Sequence, residues 1–137
     1  MPAFIHITEA SVNDMNAMDV IPYQQEAYYV FDRGYIGYAR LYRIALHEAF
    51  FVARAKPNLK FKRMYSRKVD KSAGVLCDQS GKLSGIRTAK LYPEKIRRVK
   101  YYDAETKRTF VYLTNCMELA ASQIALRYKN RMVSYCD

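Results

Sequence analysis

The segment from Tyr28 to Tyr35 reads Tyr-Tyr-Val-Phe-Asp-Arg-Gly-Tyr, and it constrains the fold more than any other stretch. An apolar run from Ala27 to Phe31 has the character of a strand buried on both faces. It delivers one acid, Asp32, to its carboxyl end, and Gly34 then permits a sharp turn into a helix. Open α/β sheets place metal and phosphate chemistry outside the carboxyl ends of their strands. Asp32 is therefore the candidate catalytic and metal-binding residue, and a single carboxylate needs partners to hold a metal pair.

The surrounding pattern agrees with an α/β unit. Phe4 to Thr8 is a short β-branched apolar run, read as a strand, and Asn13 to Met18 is at most a short helix, ended by Pro22. From Tyr35 to His47, Tyr38, Leu41, Tyr42 and Ala45 fall on one helical stripe, and Ala49 to Ala53 forms a third apolar strand. Strand, short helix, strand, helix, strand is the order of an α/β fold.

The middle of the chain changes character. Between Arg54 and Lys71, eight basic residues meet one acid, with Phe61 and Tyr65 interleaved. Gly74 to Gly85 and Lys95 to Leu113 read as short strands with turns around Gln79-Ser80-Gly81 and Asp103-Ala104-Glu105. Val99 to Tyr102 pairs with Thr109 to Leu113 as a hairpin. This predicts an antiparallel β insertion. A last helix opens at Asn115, with Glu118 as its reciprocal capping partner. Met117, Ala121, Ile124 and Tyr128 follow at helical spacing, and Arg131 extends that stripe.

Charge is as uneven as structure. Residues 1 to 32 hold five acids and no Lys or Arg, whereas residues 33 to 137 hold all 23 basic residues against eight acids, a net of +15. A field of that sign favours a polyanionic partner, foremost nucleic acid. Cys77, Cys116 and Cys136 are far apart and form no C-x-x-C pair, which excludes a disulfide framework and a structural zinc site and predicts buried, reduced thiols. His6 and His47 have no ligand spacing to another His, Cys or acid and are expected to be structural. No stretch approaches the ~20 apolar residues of a membrane span, and no signal-peptide order opens the chain, so the expected location is cytoplasmic.

Asp32 ending a strand, the basic β insertion, the run Phe50-Phe-Val-Ala-Arg-Ala-Lys-Pro-Asn and the helix with Tyr128 and Arg131 together resemble the DDE transposases of the insertion-sequence-4 family, over roughly residues 2 to 131. The resemblance implies a partial RNase H-like α/β fold with an antiparallel β subdomain inserted between the second acid and the C-terminal helix. It implies DNA transposition, in which three carboxylates hold two divalent ions, Mg2+ or Mn2+, that clamp the attacking and leaving oxygens. Asp32 matches the second acid. Tyr128 and Arg131 match a helix signature of Tyr, two residues, Arg, three residues, Glu, six residues, Lys. Arg54, Lys56 and Asn58 match an Arg-x-Lys-x-Asn segment after the third strand. The implied partners are DNA at insertion-sequence ends and other transposase subunits.

The chain departs from this pattern after Arg131: Met132 stands where Trp is usual, and Tyr135 stands at the position of the signature Glu. The first Asp belongs on a strand before the one matched by Phe4 to Thr8. Asp14, Asp19 and Asp137 are poor substitutes for the missing acids. The expected organisation is one partial catalytic domain: residues 1–55 RNase H-like, 56–114 a basic β insertion, 115–131 the signature helix and 132–137 a divergent tail. Such a fragment is expected to be inactive alone. The alternative is a non-catalytic basic DNA-binding module, or a partner or inhibitor of full-length transposase.

Overall fold

The computed structural model describes the backbone of residues 4–7 together with residues 25–31 and 37–129. Its strands are β1 (Phe4–Ile7), β2 (Tyr28–Phe31), β3 (Phe50–Arg54), β4 (Phe61–Ser66), β5 (Val75–Leu83), β6 (Ile96–Asp103) and β7 (Arg108–Thr114). The helices are α1 (Tyr38–Leu46), α2 (Ile86–Leu91) and α3 (Ala121–Lys129). The strands form one mixed sheet in the order β1-β2-β3-β7-β6-β5-β4. The expected strand from Phe4 to Thr8 and the strand from Ala27 to Phe31 are present as β1 and β2, while the short helix expected at Asn13 to Met18 lies outside the described residues.

β1, β2 and β3 run parallel, with Phe31 opposite Ala53 at the carboxyl edge. All four residues of β2 are buried because both faces of the sheet are covered. Tyr29 and Phe31 pack with Phe51, Leu41 and Ile44 on the α1 face, and Tyr28 and Val30 pack with Val52, Ile124 and Tyr128 on the α3 face. Fully burying side chains of this size stabilises the fold by roughly 1.5–3 kcal/mol each. Within α1 the deepest positions are Leu41 and Ile44, with Tyr42 and Ala45 packed at the margin of the same cluster.

β7 joins this parallel half antiparallel to β3, pairing Ala53 with Leu113. The expected hairpin is present, and its register sets Val99 opposite Tyr112 and Tyr102 opposite Thr109. β5 and β4 continue the antiparallel half. The β-rich middle is thus continuous with the α/β sheet through the β3–β7 pairing.

Two sequence expectations are corrected, the turn at Gln79-Ser80-Gly81 and the start of the last helix, while the basic stretch expected within the β insertion holds a strand. No turn occurs at Gln79-Ser80-Gly81, because β5 passes straight through it. A Cβ on Gly81 would lie 2.0 Å from the Lys62 carbonyl oxygen, so this glycine serves close strand approach rather than a turn. The basic stretch after Arg54 contains an edge strand, β4, with a register shift between Arg63 and Tyr65; charged side chains and irregularity are common on exposed edges. The last helix begins at Ala121 instead of Asn115. Asn115 spends its side chain on β3, accepting from the Phe51 N–H at 2.9 Å and donating to the Ala49 carbonyl at 2.9 Å. Met117 therefore precedes the helix, and the buried stripe is Ala121, Ile124, Ala125 and Tyr128.

Candidate nucleic-acid interface

At the end of β3, Arg54 is paired in register with Tyr112 of β7. Arg108, Phe110 and Tyr112 alternate along β7 and so share one face. The Arg54 guanidinium lies 5.0 Å from the centre of the Phe110 ring, and that of Arg108 lies 5.2 Å from the same ring. Both contacts fall within cation–π range. On the same side, α3 brings Tyr128 onto Tyr112, with ring centroids 4.7 Å apart and a tilt of 42°. Together these groups and Tyr101 line a groove of about 260 Å³.

The negative charge within this groove is already engaged. Asp103 caps the β6–β7 turn, accepting from the Glu105 N–H at 3.0 Å and the Thr106 hydroxyl at 3.0 Å, and it meets the Lys129 ammonium at 3.3 Å. Burial pushes the Asp103 carboxyl up, but these hydrogen bonds and Lys129 together hold it below the usual carboxylate range. Lys129 is raised, chiefly by its hydrogen bond to Glu105. Arg54 and Arg108 have no ion-pair partner among the described residues. Two aromatic-backed guanidiniums beside a neutralised carboxylate suit a phosphate-bearing ligand with planar bases.

The expected site residues divide among three places. Arg54 and Tyr128 share the groove, although Tyr128 is only 2 % exposed and forms part of its floor. Lys56 and Asn58 line a separate cleft of about 290 Å³ with Lys60, Arg87 and Tyr38. The separation has a local cause: β3 ends at Arg54, and Pro57 enters a turn closed by the Leu59 N–H on the Lys56 carbonyl at 3.2 Å. The Lys56 ammonium then lies 5.8 Å above the Tyr38 ring. Asp32 and Arg131 lie outside the described residues; they follow the ends of β2 and α3 by one and two positions respectively.

Sequence reading did not single out Arg108, Phe110, Tyr101 or Lys129. The available signal was the period-2 order Arg108, Phe110, Tyr112, which puts a cation and two rings on one strand face. Among the described residues no group of three His, Cys, Asp or Glu side chains could hold a metal ion. Cys116 is buried as expected, Cys77 is half-buried rather than buried, and both are free; Cys136 lies outside the described residues. His47 has a helix-terminal role, its Nδ1 lying 2.8 Å from the Arg43 carbonyl oxygen. No described helix is long and apolar enough to cross a membrane.

A mixed α/β sheet with a basic, aromatic groove defines a domain suited to polyanions. The transposase DDE domain family matches residues 1–134 of the chain. The chain is 35% identical over 136 residues to "Putative transposase y4zB" of Sinorhizobium fredii (strain NBRC 101917 / NGR234), a match covering 95% of this chain and 37% of that protein. The chain therefore belongs to the DDE transposase family and spans well under half the length of this relative. No solved structure matches it.

Proposed function

We propose that this chain is part of the catalytic domain of an insertion-sequence-4-type transposase and that its groove grips DNA at element ends. The observation that carries the reading is the pair Arg54 and Arg108 over Phe110, set beside Tyr128 on α3. In this reading the guanidiniums, backed by Phe110, hold backbone phosphates while Tyr101 offers a face to bases. Lys56 and Asn58 add backbone contacts from the neighbouring cleft, and Arg131, two positions beyond α3 in sequence, is proposed as a further phosphate contact. The parallel strands correspond to the RNase H-like portion, residues 1–55, and residues 56–114 to the β insertion.

The family implies divalent metal ions, Mg2+ or Mn2+, held by three acids. Among the described residues no group of three His, Cys, Asp or Glu side chains could hold a metal ion, and Asp32 lies outside those residues. Asp32 is proposed as one inherited ligand position, and Tyr135 stands where the signature Glu is expected. These 137 residues by themselves are accordingly expected not to cut DNA. The test is a nicking assay on supercoiled plasmid with Mg2+ or Mn2+. The expected result is intact plasmid; metal-dependent nicking abolished by Asp32→Ala would overturn the proposal of an inactive fragment.

A second reading is a non-catalytic DNA-binding partner or inhibitor of full-length transposase. It is favoured by a groove whose described lining carries Arg54, Arg108 and Phe110, groups that can hold DNA without a metal ion. It predicts salt-sensitive DNA binding that Asp32→Ala leaves unchanged, together with altered transposition when the chain is added to intact transposase.

A further inference from the structure

Arg97 occupies the middle of the sheet, opposite Ser80 of β5 on one side and Thr114 of β7 on the other, and is 1 % exposed. A buried charge is a costly way to fill a core position, since apolar residues of similar volume often serve as well or better. Its partners show what an apolar residue could not do. The Nε and Nη2 groups donate to the two oxygens of Asp78, each at 2.8 Å. Nη1 donates to the Cys116 carbonyl at 3.0 Å and to the Leu119 carbonyl at 2.6 Å. Four of its five N–H groups are thereby engaged, and two of them hold the non-helical segment that leads into α3.

The same segment is fastened to two other strands. Asn115 binds β3, and the Cys116 Sγ lies 3.1 Å from the Tyr28 hydroxyl of β2. Immediately after it, the Ala120 carbonyl accepts from the Gln123 and Ile124 N–H groups and opens the helix. At the far end of α3, Lys129 reaches Asp103 in the groove. A helix of nine residues is about 13 Å long, so where it begins decides where Tyr128 and Lys129 arrive.

We propose that Arg97, held by Asp78, is the positioning residue of the signature helix: it fixes the origin of α3 against the β5–β6 strands and so sets the placement of Tyr128 and Lys129 in the groove. The functional consequence rests on the DNA-binding reading; the structural claim does not. Lysine cannot substitute, because one ammonium lacks the planar fork that spans a carboxylate and two carbonyls together.

The test uses the full chain and two variants. Arg97→Lys keeps the charge and loses the fork. The pair Arg97→Met with Asp78→Leu replaces the ions by apolar groups, so that the fold persists even if Arg97→Lys proves too unstable. In hydrogen exchange, the Gln123 and Ile124 amides are expected to exchange at least about tenfold faster, while Val99 and Tyr112 amides keep wild-type protection. Unchanged α3 amides, or equal loss across β6 and β7, would overturn the proposal. Duplex DNA affinity is measured in parallel and is expected to fall several-fold in the paired variant, with little further loss when Tyr128→Ala is added. If the wild-type chain binds no DNA, the groove reading fails, and the exchange result still decides the role of Arg97.

Discussion

The two halves of the sheet, one parallel and one antiparallel, serve different ends. In the parallel half, β2 is buried along its whole length, and Phe51, Val52 and Ala53 of β3 are buried with it. Neither strand carries a basic residue before Arg54, the last position of β3. In the antiparallel half, β4 is exposed from Lys62 to Ser66, and β7 sets Arg108 on one face with the rings of Phe110 and Tyr112. The contrast teaches that one sheet supplies a buried scaffold at one end and an exposed, cationic edge at the other. Arg54 lies where the two meet, as the last residue of the scaffold strand and the first wall of the groove.

Breaking the scaffold has the largest expected effect. Phe51→Ala removes a fully buried ring from the cluster beneath α1 and is expected to cost about 3–5 kcal/mol in urea unfolding. A loss below 1 kcal/mol would show that the parallel half is not the stable part.

The antiparallel half is expected to respond oppositely. Lys62 and Lys82 are directly opposed across β4 and β5, and both are exposed. Like charges so placed repel, so Lys82→Glu is expected to raise stability by roughly 0.2–1 kcal/mol. The same change is expected to weaken DNA binding, because this half places charge for a partner at the expense of its own stability. A variant both less stable and equally tight for DNA would contradict the division.

The smallest expected effect concerns pH. The Asp103 carboxyl is lower in the folded chain than its ordinary value, so below about pH 4 the unfolded chain binds more protons and stability falls. Lys129 is raised, so its contribution is present below about pH 10.4 and is lost as pH rises beyond the folded value. In thermal melts from pH 2.5 to 11, Asp103→Asn is expected to flatten the acid limb and to weaken the alkaline limb only in part, because Glu105 still holds Lys129. The change is modest, because Lys129 is 30% exposed and its pairing is screened by solvent.

The halves also differ in how far the sequence revealed them. β2, β3 and α1 were legible because burial on two faces leaves uninterrupted apolar runs and a helical stripe. The bounds of β4 were not legible because an exposed edge strand has no apolar face to mark them, and Phe61-Lys-Arg-Met-Tyr-Ser reads as a charge run. Gly81 suggested a turn because only the partner strand reveals a close approach. The start of α3 was misplaced because Asn115 and Glu118 satisfy a capping pattern locally, while Arg97, 19 residues from Cys116 in sequence, takes that segment's carbonyls. Of the groove, Arg54 and Tyr128 were legible by family resemblance. Arg108 and Phe110 became evident once β7 was seen beside β3.

The central claim is that the groove at the meeting of the two halves binds DNA through Arg54 and Arg108. Its most direct test is duplex DNA affinity of the intact chain and of Arg54→Ala/Arg108→Ala across a salt series. The account predicts a steep decline of wild-type affinity with salt, and a variant that binds at least about tenfold more weakly with a slope smaller by roughly 2, one for each lost phosphate contact. Equal affinity and equal slope for the two proteins would contradict it.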